Sequence, residues 1–176
     1  MPGPVFCRGD QVALRTVERE DVEFLQRLIN DPRVRRGTGR VEPVNRVAEE
    51  EYVESLAEEE GVSTLVCVDG DPVGIIGFEE HEGVWGTAEV GYMIAPGEWG
   101  NGYATDALRE LCAYAFAEQR VAKVVARAYE TNEASCRVLE KAGFVREGCL
   151  REEAFVQGER VDVYRYGLLE SEWEGR

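Results

Sequence analysis

The stretch APGEWGNGYATDA, from Ala95 to Ala107, joins two runs of different periodicity. Before it, TAEVGYMI (Thr87 to Ile94) has the alternation of a strand. After it, ATDALRELCAYAFAEQ repeats apolar side chains every three to four residues, as a helix does. Two glycines one residue apart, Gly100 and Gly102, stand where the helix begins. A helix N-terminus leaves about four backbone N–H groups without partners and carries roughly half a unit of positive charge. Bare backbone ahead of it lets an anion come close, so a strand–GxG–helix passage suits a phosphate. Asn101 and Thr105 add side-chain hydrogen-bonding groups. A tight turn needing glycine for its dihedrals alone would be spelled the same way. The two common nucleotide loops do not fit. A Walker loop requires Gly-Lys-Ser/Thr, and no lysine is near. The fingerprint G-x-G-x-x-G requires glycine at 105, where Thr105 stands, and the preceding strand belongs to an antiparallel meander rather than a βαβ unit.

Outward from this junction the chain alternates cleanly. QVALRTV (Gln11 to Val17) reads as a first strand. EREDVEFLQRLIND follows as a helix with Val22, Leu25, Leu28 and Ile29 on one stripe, closed by Pro32. Arg33 to Val44 reads as a loop and NRVAEEEYVESLAEE as a second helix. STLVCV and PVGIIGFEE flank Asp69-Gly70, a strong hairpin signal. The helix from about Tyr103 to Gln119 places Ala104, Leu108, Leu111, Cys112, Ala115 and Phe116 on one face. KVVARAY is a short buried strand, and NEASCRVLEKAG a helix ended by Gly143. Two last strands meet at Gln157-Gly158. The order β-α-α-β-β-β-α-β-α-β-β predicts one α/β (α+β) domain over residues 1–176, with a mixed, mostly antiparallel sheet flanked by helices.

Composition narrows the function classes. At 176 residues and 44% hydrophobic content the chain can bury a core. No apolar run approaches the roughly 18–20 residues of a membrane span, and the start lacks a secretory layout, so the expectation is a cytoplasmic protein with no membrane partner. The five cysteines are scattered, without a C-x-x-C pair, and His81 is the one histidine. That argues against a metal site and against a Ser-His-Asp triad. A net charge of −15 excludes nucleic acid as a natural partner and is compatible with a cationic substrate. Lysine is reduced to Lys123 and Lys141, and an acid-rich, lysine-poor surface predicts a halophilic habitat, where a Debye length of about 3 Å in molar salt screens self-repulsion.

Taken together, the motifs carry a family resemblance. Trp99-Gly100-Asn101-Gly102-Tyr103-Ala104 resembles the acyl-CoA loop Gln/Arg-x-x-Gly-x-Gly/Ala of the GCN5-related N-acetyltransferases (GNAT), with Trp99 in place of the usual Gln or Arg. WGNGYAT, GDPVGIIGF, AEVGYMIAP, NEASCRVLEKAGFVREG and LREEAFVQGERVDVYRYGLLESEW resemble, in order, the branch that acetylates N-termini of ribosomal proteins. The resemblance implies acetyl-CoA as acyl donor and a fourth strand splayed from the fifth. It implies pantetheine paired to the edge at Tyr92, Met93 and Ile94, and pyrophosphate on the backbone N–H groups of Asn101 to Thr105. Pro96, which cannot donate to a ladder, suits a strand end leaving the sheet.

Acetyl transfer to an amine requires removal of an amine proton, a donor for the developing oxyanion and an acid for the departing thiolate. The resemblance implies an oxyanion donor in the backbone near Met93 or Ile94. Glu89 shares a strand face with Gly91 and Met93 and is the expected base, acting directly or through water. A solvated carboxylate or a salt bridge to an arginine is the structural alternative, and Glu79, Glu80, Glu152 and Glu153 stand in reserve. Many relatives use a tyrosine later in the NEAS helix, where this chain has Leu139. The ribosomal branch resembles NxxS instead, which implies Ser135 as the acid. Asn132 either bonds the pantetheine or caps the helix. The expected reaction is direct transfer in a ternary complex to a peptide N-terminus or a small amine. A catalytically silent CoA-binding module of the same fold is the rival. Arg33 to Val44, the second helix and the Gln157-Gly158 hairpin are expected to build the acceptor pocket, and the last strands or an exposed edge could form a homodimer.

Overall fold

The computed structural model describes residues 2–58, 61–81 and 84–175. Eight strands form one sheet: β1 (Val5–Arg8), β2 (Ala13–Thr16), β3 (Val62–Val68), β4 (Asp71–His81), β5 (Thr87–Ile94), β6 (Lys123–Tyr129), β7 (Val145–Val156) and β8 (Glu159–Leu169). Their spatial order is β1-β2-β3-β4-β5-β6-β8-β7, antiparallel throughout except where β5 meets β6. The helices are α1 (Val22–Asn30), α2 (Pro32–Thr38), α3 (Arg46–Ser55), α4 (Tyr103–Glu118) and α5 (Glu133–Lys141). The predicted mixed, mostly antiparallel architecture is the one observed. Both expected hairpins close with two consecutive positive φ values, 50° and 96° at Asp69-Gly70 and 52° and 92° at Gln157-Gly158. That is the requirement of the turn whose twist matches paired strands.

Two elements differ from the sequence reading. Arg33 to Thr38 is helical, not loop. Pro32 ends α1 but also starts α2, because a proline at the first helical position gives up an N–H that would be unpaired there anyway. Asp31 caps it, accepting from the Arg33 N–H at 2.8 Å, and Gly39 closes it at φ 72°. The strand β1 was not foreseen, since four residues behind Pro4 are too short to show a period.

The sheet is covered on both faces, so its central strands are apolar on both sides. One core joins α4 and α5 to the sheet through Leu108, Leu111, Leu139, Val66 and Ile76. The other seats α1 and α3 through Leu25, Leu28, Val53, Leu65 and Ile75. In β5 the alternation sends Ala88, Val90, Tyr92 and Ile94 to the α4–α5 face and Met93 to the α1–α3 face. One buried polar group ties the N-terminal hairpin to α4. Asp106, 7% exposed, accepts the backbone N–H groups of Asp10 (3.1 Å), Gln11 (2.8 Å) and Val12 (3.0 Å).

Candidate active site

β5 and β6 pair only at Thr87–Lys123, Ala88–Val124 and Glu89–Val125, although β5 runs on to Ile94 and β6 to Tyr129. Beyond that third pair the strands part. A cleft of about 1120 Å³ occupies the gap. Its wall includes residues of α5 and the start of α4 from one face of the sheet, and of α2 and α3 from the other. The cleft therefore passes through the sheet.

The loop that opens α4 sits at one mouth. Gly102 is the N-cap, with φ 88° and no side-chain cap, so the first N–H groups of α4 are left for another acceptor. Gly100 has φ 85°, and a Cβ there would meet nothing within 4 Å. The backbone conformation and the open space beside it are both what an anion-binding loop needs. Gly100, Gly102, Tyr103, Ala104 and Thr105 all line the cleft, as does Trp99. The Trp99 indole N–H donates to the Ile94 carbonyl at 2.7 Å, tying the loop to the end of β5. Asn101 lies outside the wall. Its amide donates to the Glu98 carbonyl at 3.2 Å and contacts the Glu98 carboxylate at 3.4 Å.

Alternation along β5 sorts its amides. The Ala95 N–H donates to Val73 at 2.8 Å, continuing the ladder with β4. Backbone groups of successive strand residues point to opposite sides, so the Met93 N–H faces β4 while those of Tyr92 and Ile94 face the gap.

Glu89 lines the cleft from the α1–α3 face and is held by Arg127 in a two-pronged pair, Nε to Oε1 at 2.7 Å and Nη2 to Oε2 at 3.0 Å. The Glu89 side chain is 23% exposed, that of Arg127 55%. The carboxylate holds the guanidinium pKa above its ordinary value. Glu79 is the cross-strand neighbour of Glu89 and also lines the cleft. Glu152 and Glu153 stand exposed on β7 and are not part of the cleft wall, although Glu153 acts on Arg127 through its charge. The Glu80 side chain lies outside the described residues.

Across the gap, Asn132 caps α5, its Oδ1 accepting the Ser135 N–H at 3.2 Å. Ser135 meets a partner not expected for it. Tyr92 Oη lies 2.9 Å from Ser135 Oγ and 3.3 Å from the Ser135 carbonyl. Burial pushes the Tyr92 hydroxyl up to about 12, against an ordinary 10.0, so it keeps its proton at neutral pH. The sequence reading placed Tyr92 in the site only through its backbone. The strand period, which puts it on the face opposite Glu89, was the available signal. Leu139, which the family resemblance sets where a tyrosine would stand, is fully buried.

These parts bring an anion loop, a split sheet, a carboxylate and a hydroxyl to one passage. The family model for the acetyltransferase (GNAT) domain matches residues 11–145. The chain belongs to the GNAT acetyltransferase family. It is 33% identical over 175 residues to YdaF of Bacillus subtilis, provisionally named a ribosomal N-acetyltransferase, covering 95% of this chain and 96% of that protein. It is 28% identical to the spermidine N(1)-acetyltransferase of Vibrio cholerae over 171 residues, 96% of this chain and 98% of the other. The crystal structure of spermidine N-acetyltransferase from Vibrio cholerae in complex with CoA and spermine superposes with a TM-score of 0.86 at 26% identity, covering 93% and 98% of the two chains. This GNAT protein is an acyltransferase, and its split β5–β6 seam and glycine loop fit an acyl-CoA. Among the described residues no group of three or more histidine, cysteine or acidic side chains could hold a metal ion. No described helix is long and apolar enough to cross a membrane.

Proposed function

We propose that the enzyme transfers acetyl from acetyl-CoA directly to a primary amine, with donor and acceptor entering the cleft from opposite faces of the sheet. The observation carrying this reading is the through-sheet gap, with the α4 loop at one mouth and α2 and α3 at the other. When bound, acetyl-CoA supplies an activated thioester carbonyl. The N–H groups of Gly102 to Thr105 receive its pyrophosphate, and the gap-facing N–H of Tyr92 donates to its pantetheine arm. The Ile94 N–H serves as the oxyanion donor, because the Met93 N–H is committed to β4.

Glu89 takes the amine proton, directly or through one water, and the two-pronged pair with Arg127 fixes the plane of the carboxylate at the cleft wall. Ser135 passes its proton to the leaving sulfur and takes one back from solvent, while Glu89 releases the amine proton to solvent, and Tyr92, neutral at working pH, donates to Ser135 Oγ and aims the serine hydroxyl. A relative provisionally named a ribosomal N-acetyltransferase and another named for spermidine support an amine acceptor. The acid-rich composition supports work inside a high-salt cell.

The test is calorimetric titration of acetyl-CoA in molar KCl, followed by initial-rate kinetics with both substrates varied. Saturable binding and intersecting double-reciprocal lines are expected. Binding without any acetyl transfer would identify a silent CoA module, and parallel lines would indicate an acyl-enzyme.

A further inference from the structure

The acceptor mouth of the cleft runs against the charge of the whole molecule. Acidic residues outnumber basic ones 35 to 20, yet residues 33–40 hold four arginines and no acid. Three of these, Arg33, Arg36 and Arg40, line the cleft on the face opposite the α4 loop. Val34 anchors them, buried against the α1–α3 core. Arg33 is neutralised by Asp31 at 2.8 Å, and Arg127 by Glu89. Among the described residues neither Arg36 nor Arg40 forms a salt bridge. The charged neighbour felt by Arg40 is Glu49, 5% exposed, whose carboxyl burial pushes up and Arg40 pulls down. Of the acids among the described residues of the cleft wall, Glu89 has its charge balanced by Arg127 and Glu98 belongs to the loop at the other mouth, which leaves Glu79.

Two arginines with no salt bridge to a described residue, at a substrate mouth, attract carboxylate or phosphate and repel polycations. Arginine rather than lysine also matters in strong salt. With screening over about 3 Å, discrimination has to come from direct, forked hydrogen bonds rather than long-range steering.

We infer that the acceptor of this acetyltransferase is a primary amine bearing carboxylate groups close to it, read by Arg36 and Arg40, and not a polyamine. The inference rests on the proposed acetyl transfer. The carboxylates could belong to an acidic peptide N-terminus or to a free acidic amino acid, and both are assayed.

The experiment measures CoA release, at low and at molar KCl, with Ala-Asp-Glu-Leu, its neutral isostere Ala-Asn-Gln-Leu, Ala-Lys-Lys-Leu, free glutamate and spermidine as acceptors. Acetyl-CoA binding is titrated on the same sample. The acidic peptide or glutamate is expected to exceed the neutral peptide by about tenfold in kcat/KM, and the basic peptide and spermidine by more. R36Q/R40Q should erase that preference through KM, with kcat and acetyl-CoA affinity within about twofold of the parent. Both residues are exposed, so the double variant should fold. Preference for spermidine or the basic peptide overturns the inference. So does indifference to charge, an unaltered R36Q/R40Q profile, or bound acetyl-CoA with none of these acceptors used. Absence of acetyl-CoA binding is a distinct result that removes the enzyme reading and this inference with it.

Discussion

Replacing Asp106 by alanine should destabilise the protein more than any single change to the proposed catalytic groups. Its carboxylate accepts three backbone N–H groups from the β1–β2 turn. Hydrogen bonds to a charged acceptor are each worth roughly 1.5–3 kcal/mol, and an orphaned buried donor costs about 1–3 kcal/mol. Those values do not simply triple. Asp10 and Gln11 are exposed, so their N–H groups regain water, while Val12 is 4% exposed and its N–H does not. One full orphan plus two partly rehydrated donors gives about 2–4 kcal/mol. For a domain of this size that lowers Tm by roughly 5–15 °C. Asp106→Asn keeps one carbonyl acceptor and should lose about half as much. Thermal and urea unfolding in a common KCl buffer measure both. Acetyl-CoA affinity should fall in the alanine variant too, because the same turn brings Gln11 Nε2 to within 3.4 Å of where a Gly102 Cβ would lie. A Tm loss below about 3 °C for Asp106→Ala, or equal losses for the two variants, would refute the reasoning.

Glu89→Ala should lower turnover by about two orders of magnitude or more and flatten the pH–rate profile while leaving acetyl-CoA affinity nearly unchanged; steady-state kinetics with parent-like rates would remove Glu89 from the base role. Gly102→Val puts a β-branched residue at φ 88° and a Cβ at the loop mouth, so CoA binding by calorimetry should be lost; normal binding by a folded variant would mean the loop is misassigned. Tyr92 titrates at about 12 in the folded chain against an ordinary 10.0, so the folded state holds its proton longer. The associated stability is complete below pH 10 and is lost as pH climbs through 12, on the order of 3 kcal/mol. Tyr92→Phe should flatten that part of the unfolding profile and reduce kcat by a few-fold through Ser135; an unchanged alkaline limb would mean that Tyr92 is not the titrating group.

The legible parts of this protein were those decided by neighbours in the chain. Gly100 and Gly102 announce positive φ at a helix mouth, and Asp69-Gly70 and Gln157-Gly158 announce hairpins, because each turn's dihedrals are set within a few residues. The apolar periods of α1 and α4 survived for the same reason. Pro32 misled because one residue can both stop one helix and start the next, and the arginines around Val34 hide the single apolar contact that holds α2. The rest depended on distance. Arg127 lies 38 residues from Glu89, Ser135 lies 43 from Tyr92, and Asp106 lies 94 from Val12. No local pattern encodes such partners.

The three-rung junction between β5 and β6 also has a mechanical side. It divides the sheet into two plates, β1 to β5 and β6 to β8, whose strands meet only along that short seam, while the α4–α5 core spans both. A molecule lodged in the opening and gripping amides on its rim would act as a clasp, stiffening the whole domain rather than one pocket. At a hundredfold excess over its Kd, such a ligand adds about 2.7 kcal/mol to stability. If the proposed acyl donor fills the opening, hydrogen exchange at Tyr92 and Ile94 should slow first as acetyl-CoA is added, ahead of exchange in strands far from the seam.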